Sequence, residues 1–210
     1  MSAATARKLE IAYSYAFPMQ SPPRITEEEY ESILEDSENK LEFRDGKIVM
    51  MAGGGFHHSL LKTNTLTQFN NAFAKRPCRV LDSDMKVKVA ETGLNTFPDA
   101  TVVCGPPEFK DDRRTTLLNP GILVEVLSES TESYDRGEKF RHYRQIPSLN
   151  TYVLIASDRI CVEVFEKDAA SDWRLSTFNG LDATLMLRHY DIAIPLTDLY
   201  AKIDFVAQED

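Results

Sequence analysis

Ile122-Leu123-Val124-Glu125-Val126-Leu127 is the stretch that decides the fold. It contains no turn former, and all but one of its residues are apolar. Such a strand, apolar on both faces, belongs in the middle of a sheet covered on both sides. Glu125 interrupts the run. A carboxylate there must be paired, protonated or bound to a cation to offset its loss of water. Asn119-Pro120-Gly121 is a turn leading into the strand. A helix follows from about Tyr134 to Gln145.

Upstream, Phe97-Pro98-Asp99 opens a strand expected over Thr96 to Cys104, ended by Gly105-Pro106-Pro107. Arg79 to Leu81 and Met85 to Ala90 read as strands joined by Asp82-Ser83-Asp84. In the second, Met85, Val87 and Val89 alternate with Lys86 and Lys88, which predicts one buried face and one wet, basic face. Apolar Leu66, Phe69 and Phe73 recur at helical spacing between His57 and about Lys75. Leu41 to Met51 reads as a hairpin turning at Asp45-Gly46. Thr26 and Glu29 have capping-box spacing, which predicts a helix from near Glu27 to about Asp36. Lys110 to Arg114 reads as a polar loop.

Downstream, Thr151 to Ala156 and Ile160 to Glu166 are strands joined at Ser157-Asp158-Arg159. Arg174 to Phe178 and Leu185 to Leu187 are weaker ones, and Leu196 to Ala201 a short closing helix. The pattern predicts an α/β or α+β fold with one sheet and helices against it. Residues 1–24 read as a leading arm, 25–205 as one domain and 206–210 as a frayed tail.

The chain has 210 residues, 42% hydrophobic and 27% charged, the balance of an ordinary globular protein. It lacks the long apolar run of a transmembrane helix and the patterned head of a secretory signal, so the cytoplasm is the expected location. The net charge of −9 speaks against coating nucleic acid by bulk charge but leaves room for a local basic patch. Cys78, Cys104 and Cys161 are odd in number, far apart and without a C-x-x-C pair. They are expected to be small buried strand residues, with neither a disulfide framework nor a cysteine-type zinc site.

The chemistry centres on Glu125. Asp99, on a neighbouring strand, supplies a second hard oxygen ligand, and together they suit magnesium or manganese. Asp135 and Lys139 are four apart on the following helix and share a face. They read either as a surface ion pair or as a lysine aimed at the carboxylates. Arg136, Arg141 and Arg144 surround Lys139 with positive charge. Glu42 is an outward strand residue or a third carboxylate of the site. His57 and His58 start a helix after Gly53-Gly54-Gly55, which lacks the lysine of a phosphate-binding loop. Trp173 and the apolar stretch Ile192 to Leu199 belong to the core or to a homodimer interface.

These residues resemble the Uma-two family of endonucleases, within the PD-(D/E)xK or restriction-endonuclease-like superfamily. The likeness spans Ile25 to Leu199. It runs through Glu42-Phe43-Arg44-Asp45-Gly46-Lys47-Ile48-Val49, His58-Ser59-Leu60-Leu61 with Asn64, Ser83-Asp84-Met85-Lys86-Val87 and Phe97-Pro98-Asp99. It is strongest in Val124-Glu125-Val126-Leu127-Ser128 with Thr131, Asp135, Lys139 and Tyr143. The resemblance implies a mixed sheet flanked by helices and a metal-dependent DNA endonuclease. Asp99 matches the PD aspartate and Glu125 the acidic residue of (D/E)xK. Leu127 stands where the superfamily carries lysine, and Lys139 from the next helix takes that place. Glu42 matches an additional acidic residue, with His58 and Asp135 accessory. The metal would be Mg²⁺ or Mn²⁺, held by Asp99 and Glu125. Lys86, Lys88, Arg136, Arg141 and Arg144 would hold the DNA backbone. Two other readings stay open: an inactive nucleic-acid-binding module of the same fold, and a hydrolase of smaller phosphate esters.

Overall fold

The computed structural model describes residues 23–51 and 53–205. The expected arm and tail fall mostly outside that range. Helix α1 (Glu27–Glu35) starts where the capping box places it: Thr26 Oγ1 accepts from the Glu29 amide, and the Glu29 carboxylate accepts from the Thr26 amide. Strands β1 (Leu41–Arg44) and β2 (Lys47–Met50) pair antiparallel across a two-residue turn. Asp45 and Gly46 both have positive φ there, at 48° and 75°, the backbone that a tight hairpin with right-handed strand twist requires. Helix α2 (Phe56–Phe73) buries Leu61, Thr65, Phe69 and Phe73, one residue per turn along a single stripe.

The remaining strands are β3 (Cys78–Asp82), β4 (Lys86–Val89), β5 (Leu94–Thr96), β6 (Ala100–Cys104), β7 (Thr116–Leu117), β8 (Ile122–Leu127), β9 (Thr151–Ala156), β10 (Cys161–Lys167), β11 (Trp173–Asn179), β12 (Thr184–Leu187) and β13 (Ile192–Pro195). They form a six-stranded sheet ordered β11-β10-β9-β8-β6-β3, a five-stranded sheet ordered β2-β1-β5-β4-β7, and the hairpin β12-β13. Pairing is antiparallel except at β8–β9 and β4–β7, so both larger sheets are mixed.

The single expected sheet is thus divided. The break falls at Phe97-Pro98-Asp99, between β5 and β6. Proline has no N–H to donate, so a continuous ladder from Thr96 to Cys104 cannot pass through Pro98. The chain leaves one sheet and enters the other at that point. Just after the stretch read as a polar loop, β7 closes the edge of the smaller sheet beside β4.

Strand β8 is central and buried on both faces, as its sequence requires. Ile122, Val124 and Val126 face a core shared with α2, the β12-β13 hairpin and the closing helix α5 (Leu196–Leu199). Ile192, Ile194, Leu196 and Leu199 all lie in that core. Leu123 and Leu127 face a second core with Tyr143, Tyr152, Leu154, Val87, Val89 and Leu94, against which Trp173 packs. Glu125 alternates with the first set and so points to the second side, between the two sheets. Among the described residues no helix is long and apolar enough to cross a membrane.

The cysteine reading requires correction. Cys78 and Cys104 stand opposite each other in the β3–β6 ladder and are disulfide-bonded, while Cys161 is free and buried. Antiparallel register brings together two residues 26 apart in sequence.

Candidate functional site

Glu125 leaves the middle of β8 with 4% of its surface exposed. Strand β6 pairs antiparallel with β8, Ala100 opposite Val124. One residue beyond that ladder, Asp99 lies on the side of the sheet that Glu125 occupies. The Val126 amide donates to Asp99 Oδ2 at 2.8 Å, which anchors the carboxylate against the central strand.

After β8 the chain turns through Ser128–Thr131 into a continuous helical run over residues 132–143. It comprises α3 (Glu132–Tyr134), a π-helical segment (Asp135–Lys139) and α4 (Phe140–Tyr143). A π turn is rare and concentrates at functional sites, because its extra residue per turn re-aims the side chains. Here Asp135 and Lys139 are both buried, so the surface ion pair considered from sequence is not what forms. The Tyr152 hydroxyl donates to the Asp135 carbonyl at 3.1 Å and holds the widened turn against β9.

Lys139 is the hub. Its Nζ lies 2.8 Å from Glu125 Oε1, 3.4 Å from Asp135 Oδ1 and 3.5 Å from Glu42 Oε1. Glu42 comes from β1, with its side chain turned inward and accepting from the Thr96 hydroxyl. The Tyr143 hydroxyl donates to Glu125 Oε1 at 2.8 Å. Asp99 meets other partners. Lys62 Nζ lies 3.0 Å from its Oδ1, and His58 Nε2 lies 3.5 Å from its Oδ2. His58 and Lys62 are four apart on α2 and share a face. Gly54 makes room for His58: a Cβ on it would sit 2.2 Å from the His58 ring.

The electrostatics follow from burial. Loss of water, opposed by Lys139 and reinforced by Asp135 and Asp99, pushes the Glu125 carboxyl up to about 8. Burial also raises Asp135. Burial alone would lower Lys139, but Glu125, Glu42 and Asp135 together drive its ammonium well above the ordinary value. Asp99 is also buried, yet His58, Lys62 and the Val126 amide hold it below its ordinary value.

Four buried carboxylates (Glu42, Asp99, Glu125, Asp135) thus face two ammoniums (Lys139 and Lys62). Carboxylates thus outnumber ammoniums there, and hard oxygen donors of this kind fit a divalent cation.

The five cations assigned to a DNA backbone are placed differently from one another. Lys86 is not on a wet face: it is 4% exposed, with Nζ 2.7 Å from Glu31 of α1. Lys88 pairs with Glu27 at 2.6 Å. The acidic face of α1 covers what the alternation of β4 marked as solvent. Arg136 pairs with Glu132 and with Glu163. Arg141 and Arg144 are exposed. Lys62, which sequence reading missed, is marked only by its spacing from His58 on the α2 face that meets Asp99.

The same arrangement of elements recurs in a solved structure. The crystal structure of a "putative nuclease belonging to DUF820" from Anabaena variabilis ATCC 29413 superposes with a TM-score of 0.65. It covers 78% of this chain and 91% of that one at 18% identity. The two chains therefore share one α+β fold. The chain belongs to the Uma2 family, described as "Putative restriction endonuclease", which it matches over residues 27–193. Two proteins of Synechocystis (strain PCC 6803) are also similar. "Uncharacterized protein slr1290" is 33% identical over 93% of this chain and 100% of its own length. "Uncharacterized protein sll1609" is 32% identical over 77% of this chain and 91% of its own.

Proposed function

We propose that this protein is a divalent-metal-dependent endonuclease that hydrolyses DNA phosphodiester bonds. The observation that carries the reading is the convergence of Glu42, Asp99, Glu125 and Lys139 from four separate elements into one buried, carboxylate-rich centre. Burying charge is costly, and groups of buried carboxylates with shifted pKa concentrate at functional sites. Family membership supports the same reading.

Asp99 and Glu125 would hold Mg²⁺ or Mn²⁺, with Glu42 available beside them. The ion would supply a Lewis acid that neutralises the scissile phosphate and lowers the pKa of the attacking water. Lys139, 2.8 Å from Glu125, keeps that carboxylate oriented and would turn an N–H to the reacting oxygen by releasing one of its longer contacts, Asp135 or Glu42. Lys62 and His58 fix Asp99, and Asp135 and Tyr143 fix Lys139 and Glu125 in turn. Arg141 and Arg144 would meet the DNA backbone first, because they are the exposed members of the basic set. Lys86, Lys88 and Arg136 would serve only by exchanging their glutamate partners for phosphates. Paired cleavage of both strands would use a homodimer. A nuclease acting on the cell's own DNA would work in the cytoplasm.

The test is nicking of supercoiled plasmid with Mg²⁺ or Mn²⁺, comparing wild type with Glu125→Gln and Asp99→Asn. Each variant should lose at least ~100-fold in rate while keeping native circular dichroism. Cleavage by either variant at the wild-type rate would overturn the site. Salt-dependent DNA binding by wild type with no turnover in either metal would instead identify a non-catalytic binding module.

A further inference from the structure

Outside this centre, His142 is the least satisfied buried group among the described residues. It is 5% exposed, and neither ring nitrogen has a hydrogen-bond partner. Buried polar atoms are nearly always paired, so two orphan nitrogens on one ring call for a ligand. Two carboxylates supply its setting. Glu138 precedes His142 by one helical turn, and Asp45 reaches over from the β1–β2 turn. One donor atom from each of the three lies within 4.8 Å of the other two.

We propose that Asp45, Glu138 and His142 form a second cation site, selective for a first-row transition ion, with Zn²⁺ as the expected occupant. Three protein donors with a fourth position left to water is a usual zinc arrangement. An imidazole donor selects zinc over magnesium or calcium, which prefer oxygen throughout. Metal–donor bonds near 2.0–2.2 Å put tetrahedral donors about 3.4 Å apart. Asp45 and Glu138 are exposed and close the difference by side-chain rotation. Burial, foremost, lowers the His142 pKa, which keeps the ring neutral and its lone pair free near pH 7.

The position gives the site a role. The β1–β2 hairpin carries Glu42 on β1, and the helical run carries Lys139. An ion held by Asp45 on the hairpin and by Glu138 and His142 on the helix would clamp those two elements together. Their buried contact, Glu42 to Lys139, is 3.5 Å and lies within the proposed catalytic centre. The site itself shares no residue with that centre.

The test is titration with Zn²⁺ alone by calorimetry, paired with thermal melts, on wild type, Asp45→Asn/Glu138→Gln and Asp99→Asn/Glu125→Gln. Asparagine tolerates the left-handed backbone at position 45, and both Asp45 and Glu138 are exposed, so the first variant should fold. Wild type should bind one Zn²⁺ that Mg²⁺ in excess does not displace, and its melting temperature should rise with zinc. The Asp45→Asn/Glu138→Gln variant should lose at least tenfold in that affinity and the whole thermal shift. The Asp99→Asn/Glu125→Gln variant should keep both, which separates this site from the nuclease reading. No Zn²⁺ binding by wild type, or equal binding by Asp45→Asn/Glu138→Gln, would overturn the proposal.

Discussion

Replacing Lys139 by methionine keeps most of the buried stem and removes the ammonium that Glu125, Asp135 and Glu42 share. At an effective dielectric near 20, the 2.8 Å contact is worth about 6 kcal/mol and the 3.4 and 3.5 Å contacts about 5 kcal/mol each. Desolvating four charges at several kcal/mol apiece cancels most of that sum. Removing one partner leaves the desolvation in place, so the net loss should be about 3–5 kcal/mol. Against a total stability of about 5–15 kcal/mol, that is a large fraction. With a urea slope near ~2 kcal/mol per molar, the unfolding midpoint should fall by about 1.5–2.5 M. The sign of the pH dependence is also set. Burial already raises Glu125 and Asp135 in the native protein, and without Lys139 they rise further. A carboxyl raised on folding contributes stability below its unfolded value near 4 that is lost as pH rises toward its folded value. The deficit of Lys139→Met should therefore be small near pH 5 and large near pH 8. Adding Glu125→Gln should restore part of the loss. The assay is urea unfolding in EDTA at both pH values. A midpoint shift under about 0.3 M, or an equal deficit at pH 5 and pH 8, would refute the account of Lys139 as the counter-ion of this cluster.

Glu27→Gln should cost about 1 kcal/mol at pH 7, since Glu27 bridges Lys88 and Lys110 while a quarter of its side chain stays exposed. Burial alone would raise Glu27, but the two lysines hold it below its ordinary value, so the difference from wild type should vanish as acid titrates it. Denatured, unreduced protein should titrate as one thiol, from Cys161, and as three after reduction. Reducing the Cys78–Cys104 link, which closes a 26-residue separation, should lower stability by about 3 kcal/mol in chemical denaturation. Gly54→Ala should displace the His58 ring and slow plasmid nicking by about tenfold through Asp99, with little change in melting temperature. An unchanged nicking rate would remove His58 from the site.

A large part of the architecture is legible in the chain because it depends on neighbours in sequence. The capping box at Thr26 and Glu29 starts α1, and Asp45-Gly46 turns the first hairpin. The two-sided apolar run places β8 in the interior and marks Glu125 as a charge that needs a partner. Spacing also sets Asp135 and Lys139 on one face. Legibility ends where the partner comes from elsewhere. That Lys86 and Lys88 are covered depends on α1 folding across β4. That Lys62 holds Asp99 depends on α2 packing against the six-stranded sheet.

The sequence by itself determined which apolar runs had to be buried, which backbone turns were possible and which strand carried the improbable carboxylate. Periodicity and side-chain chemistry act over a few residues, so they can be read directly. The tertiary structure alone decided the division into two sheets at Pro98, the Cys78–Cys104 bond and the inward turn of Glu42. It also decided that one ammonium answers three carboxylates. Those outcomes depend on strand register and helix packing between segments tens of residues apart. There the free energy of burying a charge is set by whatever the fold brings beside it, which no local pattern encodes.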